Sequence, residues 1–160
     1  MKDLTDWLDK YKIKYEIEIE NENVNVIYGM IYLPDNKITE LPKSIGNLRC
    51  KRLYFHNNEI TELPKSIGNL RCNDLFLHNN EITELPKSIC NLRCERLFLS
   101  YNKITELPKD IGNLRCNTLY LNNNKIPKHE IKYLDQIKLL KDVYTDYTDN
   151  IEEVFKLCKI

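Results

Sequence analysis

Apolar and polar positions repeat with a fixed period through the middle of the chain. The segment that begins at Ile38 reads ITELPKSIGNLRC and returns after every 22 residues, with at most one change in each copy. Between copies, runs such as RLYFHN at 52–57 alternate apolar with other side chains, which predicts a half-buried β-strand. The Leu-Pro pair in each copy keeps its Leu out of the helical region, so an extended return segment is predicted. A period of this length indicates a solenoid, because one unit must stack on its neighbours to bury its apolar face.

Each unit can be numbered in slots, with Cys50 as slot 1 of its unit. Apolar residues then fill slots 4, 6, 11, 14, 18 and 21 of the central units, while Asn fills slot 9 and Pro fills slot 15. The pattern L-x-x-L-x-L-x-x-N-x-L, with Cys or Tyr in the first position and L-P-x-x-I-x-x-L after it, resembles the leucine-rich repeat family over five units at 28–126. The resemblance implies an α/β repeat solenoid wound as a right-handed superhelix. It also implies a parallel sheet on the concave side, an irregular or 3-10 convex side and terminal caps.

Both ends of the repeat carry segments that are predicted to act as caps, because terminal units need a polar outer face. At residues 1–27 we predict a helix and a hairpin, from the helical spacing of Leu4, Trp7, Leu8 and Tyr11 and the alternation of Ile13, Tyr15, Ile17 and Ile19. At residues 127–160 we predict a helical cap of two helices, carried by Ile131, Leu134, Ile137 and Leu140 and then by Ile151, Val154, Phe155 and Cys158.

Composition narrows the classes of partner. The chain has 160 residues with 24 basic and 24 acidic side chains, and this zero net charge argues against a binder of nucleic acid or acidic membranes. No apolar run approaches the roughly 20 residues of a membrane span, and the first residues lack an apolar signal-peptide centre. We therefore expect an intracellular, cytoplasmic protein. The near-identical units, rich in Asn, Lys and Ile, resemble repeat families of amoebae and of the large DNA viruses that infect them, for which the compartment would be the host cytoplasm.

Two ladders of identical residues are predicted to be structural. The first consists of the slot-1 cysteines Cys50, Cys72, Cys94 and Cys116. Thiols spaced by about 4.8 Å along a line cannot converge on one metal ion, and a reducing compartment disfavours disulfides, so we expect small buried residues. The second consists of the slot-9 amides Asn36, Asn58, Asn80, Asn102 and Asn124. In the resembled family this Asn satisfies backbone groups at the turn, so we assign these amides no binding function. We predict no metal and no cofactor for the protein.

Three rows of charge are predicted to lie on a solvated convex side or flank. The acidic row is Glu40, Glu62, Glu84 and Glu106, and the basic rows are Lys43, Lys65, Lys87 and Lys109 and Arg49, Arg71, Arg93 and Arg115. We expect nearby rows of opposite sign to offset the repulsion within each row, at about 0 to 1 kcal/mol for each surface pair. An acidic partner on the Arg row is a disfavoured alternative.

The units differ mainly in slots 2, 3, 5, 7 and 8, which are expected to point out of the strand on the concave face. Slot 5 is aromatic in every unit, at Tyr32, Tyr54, Phe76, Phe98 and Tyr120. Because exposed apolar stripes mark interaction sites, we predict a protein-binding surface whose specificity is set by Arg52, Asp74, Arg96, His56, His78 and Tyr101. The alternatives are that the aromatics only stabilise neighbouring strands, or that a cap covers them. A two-histidine metal site at His56 and His78 is disfavoured, because no third ligand is evident there and Asp74 is only the nearest candidate.

The sequence thus predicts a non-catalytic interaction module for another protein or a peptide segment. Two other functions stay open. A cysteine enzyme would use Cys158 or Cys90, which replaces the Gly of other units, but neither has an evident His partner. Self-association through the aromatic stripe is the second alternative, and it would make the size of the protein in solution depend on concentration.

Overall fold

A computed structural model of the protein describes residues 2–20, 23–138 and 140–146 and, within them, the side chains outside residues 17–28. These residues form one α-helix, α1 (Lys2–Lys10), and one sheet of seven strands in chain order. The strands are β1 (Glu16–Glu20), β2 (Asn23–Tyr32), β3 (Leu48–Tyr54), β4 (Asp74–Phe76), β5 (Arg96–Phe98), β6 (Thr118–Tyr120) and β7 (Asp142–Tyr144). The 3-10 helices are Ile45–Asn47, Lys65–Asn69, Lys87–Asn91, Ile111–Asn113 and Lys128–Gln136. None of the helices described here has the length and apolar character needed to cross a bilayer.

Strands β2 to β7 run parallel, whereas β1 pairs antiparallel with β2. Leu53 lies opposite Leu75, and Leu75 lies opposite Leu97, so the strands are aligned at the 22-residue period of the sequence. A 3-10 helix occupies the return segment between each two consecutive parallel strands. The predicted solenoid with a parallel sheet and 3-10 returns is confirmed. The boundary predicted at residue 27 falls inside β2, so the second hairpin strand is also the first parallel strand.

The repeated apolar slots form a continuous core between the sheet and the 3-10 helices. Slots 4, 6, 11 and 18 are fully buried in the second unit, at Leu53, Phe55, Ile60 and Ile67. Helix α1 covers the first end of this core, because Leu4 and Leu8 are buried and the Trp7 ring meets the Phe55 ring edge-on at 5.8 Å between centroids. The apolar face of the first unit is therefore shielded from water.

The first three 3-10 helices of the repeat, which begin at Ile45, Lys65 and Lys87, approach each other too closely for a side chain in slot 19 at Gly46 and Gly68. A Cβ atom added to Gly46 would lie 2.2 Å from the backbone oxygen of Ser66, and one added to Gly68 would lie 2.1 Å from that of Ser88. Cys90 occupies the same slot with its side chain buried, and the next 3-10 helix, Ile111–Asn113, is shorter than its predecessors in the two preceding units. A side chain is therefore accommodated in slot 19 at Cys90, whereas Gly46 and Gly68 face the backbone of the next unit.

The C-terminal region departs from the predicted helix. Residues Lys128–Gln136 form a 3-10 helix, and β7 then adds a sixth parallel strand beside β6. The prediction of one helix through Leu140 is wrong beyond Gln136. Its apolar residues recur every three positions, which is the period of a 3-10 helix and not the 3.6 of an α-helix. The second predicted helix, with Cys158, lies outside the described residues.

Candidate functional site

The slot-5 side chains stack into a continuous aromatic ladder on the outer face of the sheet, the face turned away from the core. The ladder consists of Tyr32, Tyr54, Phe76, Phe98, Tyr120 and Tyr144. From Tyr54 onward, neighbouring ring centroids lie 4.4 to 4.5 Å apart, and the rings are within 3° to 11° of parallel. The parallel register produces this stacking, because it places each slot-5 residue opposite the next at the spacing of adjacent strands, about 4.8 Å.

Tyr144 is a member of the ladder that the sequence analysis missed. It follows Tyr120 by 24 residues, whereas the earlier members are 22 residues apart, so two additional residues hide the last strand. A signal is nevertheless present, because Leu140, Val143, Tyr144 and Thr145 repeat slots 1, 4, 5 and 6. The three that point inward are buried, as this register requires.

Stacking determines which part of each ring is presented to a ligand. Neighbours cover both faces of the inner rings, which are half-buried, so the ring edges are turned to solvent. An aromatic edge carries the positive part of the ring quadrupole and the face carries the negative part. Tyr32, at the first end, is tilted by 58° from Tyr54 and is 60% exposed. The aromatic stripe expected from the sequence is therefore a half-buried ladder that presents its ring edges to solvent, and the ring of Tyr32 at its first end is largely exposed.

On one side of the ladder, the slot-3 residues form an ion-pair cluster. Asp74 has a side chain that is 3% exposed, and its two carboxylate oxygens accept hydrogen bonds from Nε and Nη2 of Arg96, each at 2.7 Å. Nε of Arg52 lies 3.3 Å from the same carboxylate. The hydrogen bond to Asp74 raises the pKa of the Arg96 guanidinium. Both arginine side chains are about half exposed, so Asp74 fixes two guanidinium groups whose other N–H groups can bind a ligand.

On the other side of the ladder, His56 and His78 stack with ring centroids 4.6 Å apart. Burial lowers the pKa of both imidazoles, and repulsion from His56 lowers the pKa of His78 further. Nδ1 of each ring is buried without a hydrogen-bond partner, which favours the neutral tautomer with its proton on Nε2. Asp74 is engaged by its arginines, and in the part of the chain that the structure describes no three potential ligands gather as a metal site.

The turn after each strand places its slot-8 residue in the left-handed backbone conformation. Asn and Asp tolerate this conformation well, and they occupy the slot at Asp35, Asn57, Asn79 and Asn123. The remaining turn holds Tyr101, with a φ of 54° and 55% of its surface exposed. A bulky residue in this conformation costs about 1 kcal/mol or more. Tyr101 thus presents a large open side chain just after β5 at a cost to the backbone.

The slot-9 amides hold these turns in place. Nδ2 of Asn58 donates to the carbonyl oxygens of Leu33 and Phe55 at 2.8 and 3.0 Å, and Oδ1 accepts from the backbone N–H of Ile38 at 3.0 Å. The same pattern recurs at Asn80, Asn102 and Asn124. The predicted structural role of these four amides is confirmed, and it makes the borders of the outer face rigid.

Burial governs the chemistry of the described cysteines. It raises the pKa of Cys72 and of Cys116 to about 12, and it also raises the pKa of Cys50, Cys90 and Cys94. The slot-1 cysteines are free thiols, buried as predicted except for Cys94, which is partly exposed. An activated cysteine needs the opposite shift, toward the thiolate.

The charged rows do not pair with one another. Arg71, Arg93 and Arg115 are exposed and form no ion pair with any residue that the structure describes. The same holds, among the described residues, for the predicted Glu and Lys rows. The offset of charge that was expected between the rows therefore does not come from ion pairs among the described residues. The Arg row lies where each return segment enters its strand, whereas the Lys row lies at or before the start of each 3-10 helix.

These features define the class of fold, which is a solenoid of parallel strands stacked at a 22-residue period, each followed by a 3-10 return. A family model described as Leucine Rich Repeat matches residues 49–70 and 93–114. The chain belongs to the leucine-rich repeat family, whose domains typically act as protein-interaction modules.

Solved structures agree with this assignment. The chain is similar to a leucine-rich repeat protein of Leptospira interrogans, with 31% identity and a TM-score of 0.58 over 73% of this chain and 36% of that chain. It is also similar in fold to an internalin of Listeria monocytogenes, with 23% identity and a TM-score of 0.55 over 75% of this chain and 36% of that chain. The chain thus spans 36% of the length of each. A search of the curated proteins finds no match.

Proposed function

We propose that the protein is a non-catalytic interaction module that binds another protein, or a peptide segment of one, on the outer, concave face of its sheet. One observation carries the proposal. In the described part of the chain, the exposed large hydrophobic side chains are Met30 and Tyr32, which lie in β2, and Tyr101, which lies in the turn after β5. Exposed apolar side chains gathered on one surface are typical of binding sites.

The chemistry of the face suits a protein ligand. The aromatic ladder supplies a continuous apolar floor, which Arg52 and Arg96 border on one side and His56 and His78 on the other. Tyr, Trp and Arg are the residue types that dominate hot spots in protein interfaces. The binding residues in this proposal are Tyr32, Tyr54, Phe76, Phe98, Tyr120, Arg52, Asp74, Arg96, His56, His78 and Tyr101, with Met30 and Tyr144 added.

Rigid presentation is the mechanism of this binding. Stacking holds the inner rings, Asp74 anchors the two guanidinium groups, and the slot-9 amides fix the turns. A surface whose rotamers are already fixed loses little conformational entropy when a ligand binds, so more of the contact energy is retained as affinity. Six parallel strands at about 4.8 Å span about 24 Å, which suits a short segment or a small patch of a partner.

The enzyme alternative receives no support from the described cysteines. Cys90 is buried, and burial together with the charge of Asp110 raises the pKa of its thiol. A thiol in this environment is a poor nucleophile at neutral pH. Cys158 lies outside the described residues.

Capture of partners from an extract of the source cells tests the proposal. The test variant carries Met30→Ser, Tyr32→Ser and Tyr101→Asn, which change exposed side chains and leave the stacked inner rings intact. A matched control carries three changes on the return segments, Glu62→Ser, Lys65→Ser and Lys87→Ser. We expect the wild type and the control to retain a partner that the test variant loses. Equal retention by all three proteins would place recognition elsewhere and contradict the proposal.

A further inference from the structure

The arginine row, formed by Arg49, Arg71, Arg93 and Arg115, is a second regular array of side chains beside the aromatic ladder. Backbone bridges join each of these arginines to the next in a parallel arrangement. Neighbouring members therefore lie about 4.8 Å apart in a line about 14 Å long. The row follows the edge of the sheet where each return segment enters its strand.

Three members of the row are unbalanced among the residues that the structure describes, whereas the fourth, Arg49, is half-buried and donates from Nη1 to the backbone carbonyls of Gly46 and Leu48. Arg71, Arg93 and Arg115 are exposed and have no carboxylate within ion-pair distance in that part of the chain. The flanking slots offer little negative charge, because slot 20 is Asn in these units and slot 2 has one acid, Glu95, which accepts a hydrogen bond from Asn73. Like charges at this spacing repel one another, so an anion that bridges them relieves an unfavourable interaction.

Carboxylates of a polypeptide suit this row better than phosphates do. Guanidinium groups bind both kinds of anion through paired N–H groups. A nucleic-acid binder normally adds a net basic charge and aromatic platforms for the bases, but this chain has zero net charge and its ladder rings are stacked on one another. A membrane-binding surface adds apolar side chains that insert, and no large hydrophobic residue of the described chain is exposed along this edge.

The spacing of the row selects among acidic polypeptides. Acidic side chains on one face of an α-helix, alternately three and four residues apart, advance by about 4.5 and 6.0 Å, so four of them span about 16 Å. Alternate side chains of an extended strand advance by about 6.7 Å, and four of them span about 20 Å. The rungs of the row are about 4.8 Å apart, which is closer to the mean advance of about 5.3 Å along the helix than to the roughly 6.7 Å of the strand.

We propose that the arginine row is a second interaction surface, which binds the acidic stripe of an α-helix in a partner protein. The row lies at the end where the strands begin, five residues before the slot-5 ladder along the chain, so the two sets of side chains can be tested independently. Its recognition chemistry is a set of carboxylate–guanidinium pairs on consecutive rungs, so binding weakens as ionic strength rises.

Two designed peptides test the proposal. Both are alanine-rich helices of about 20 residues with four glutamates. In the first, the glutamates occupy positions i, i+4, i+7 and i+11 on one face, and in the second, the same four glutamates are distributed around the helix. Fluorescence anisotropy of each labelled peptide gives its affinity for the full chain at low and physiological salt. We expect the striped peptide to bind about fivefold or more tightly than its isomer, because only its carboxylates reach several rungs together.

Two variants of the full chain locate the site. Arg71→Gln with Arg93→Gln should weaken the striped peptide by about tenfold, as expected for two lost pairs. The matched control, Lys65→Gln with Lys87→Gln, removes the same charge from the same units and should change affinity less than about twofold. Thermal unfolding checks that each variant is folded, and neither substitution removes a buried contact.

Several results would overturn the proposal. These are the absence of binding to either peptide, equal binding of the two isomers, and equal losses in the arginine and lysine variants. Tighter binding of a poly-uridine strand or of phosphatidylserine vesicles than of the striped peptide would also reject a polypeptide ligand. None of these results bears on the outer face, because the variants leave Tyr32 and Tyr101 unchanged.

Discussion

Gly68→Ala should strongly destabilise the solenoid, because slot 19 of this unit lies against the backbone of the next unit. The new methyl carbon would lie 2.1 Å from the backbone oxygen of Ser88, whereas ordinary contacts begin at 3.4 Å, so the next unit has to move by more than 1 Å. This movement separates Ile67 from Ile89, which are both fully buried. Overpacking a dense core costs about 1 to 3 kcal/mol, and we expect about 3 kcal/mol here because the obstacle is backbone.

Thermal unfolding followed by circular dichroism measures this effect. For a domain of this size, about 1 kcal/mol corresponds to about 3 °C, so Gly68→Ala should lower Tm by about 9 °C. The matched control is Cys90→Ala, which keeps the Cβ atom already present in slot 19 and removes only Sγ, at a cost of about 1 kcal/mol. A wild-type Tm for Gly68→Ala, or an equal loss in Cys90→Ala, would refute the close approach of the 3-10 helices.

Acidification should destabilise the fold through His56 and His78, whose folded-state pKa values lie below the unfolded value of about 6.5. The unfolded chain therefore binds protons first, so the stability that is present above about pH 6.5 is lost as the pH falls below that value. The decline in Tm on acidification should be smaller in a variant with both histidines changed to Gln. An undiminished decline would exclude the histidines as its cause. Asn57→Tyr should cost about 1 kcal/mol in urea unfolding, because Tyr would adopt a φ of 55°; unchanged stability would contradict the strain assigned to Tyr101. Cys90 should react with iodoacetamide more slowly in the native protein than in the unfolded chain. A faster reaction of Cys90 in the native protein, measured by peptide mass mapping, would support the alternative that the protein is a cysteine enzyme.

The frame of this fold is predictable from the sequence because its signals are local and repeated. Slots 4, 6, 9 and 11 fix the strand, its inward face and the turn, and the 22-residue period fixes the parallel register. Where the period changes, the prediction fails. Two additional residues before Val143 hide β7, and with it Tyr144, although the order of apolar residues there is that of the other units.

The candidate surface was only partly predictable. Alternation places Tyr54 and Phe76 on the outer face, but the sequence does not show that their rings stack with edges outward, because this depends on the rotamers that neighbouring strands permit. Slot numbers likewise bring Arg52, Asp74 and Arg96 to consecutive strands, whereas the burial of Asp74 between two guanidinium groups is a property of packing. Contact between the charged rows is likewise a property of packing, and among the described residues their side chains form no ion pair with one another.

Site-specific photo-crosslinking tests directly whether a partner binds at the outer face of the sheet. A photoreactive amino acid is placed at position 101, in the turn beside the aromatic ladder, or at position 65, at the start of a 3-10 helix on the return side. Each protein is irradiated in an extract of the source cells, and covalent adducts are identified by mass spectrometry. The account predicts a specific partner adduct at position 101 that the wild-type protein competes away, and no such adduct at position 65. The same partner captured at position 65 and not at position 101 would contradict it.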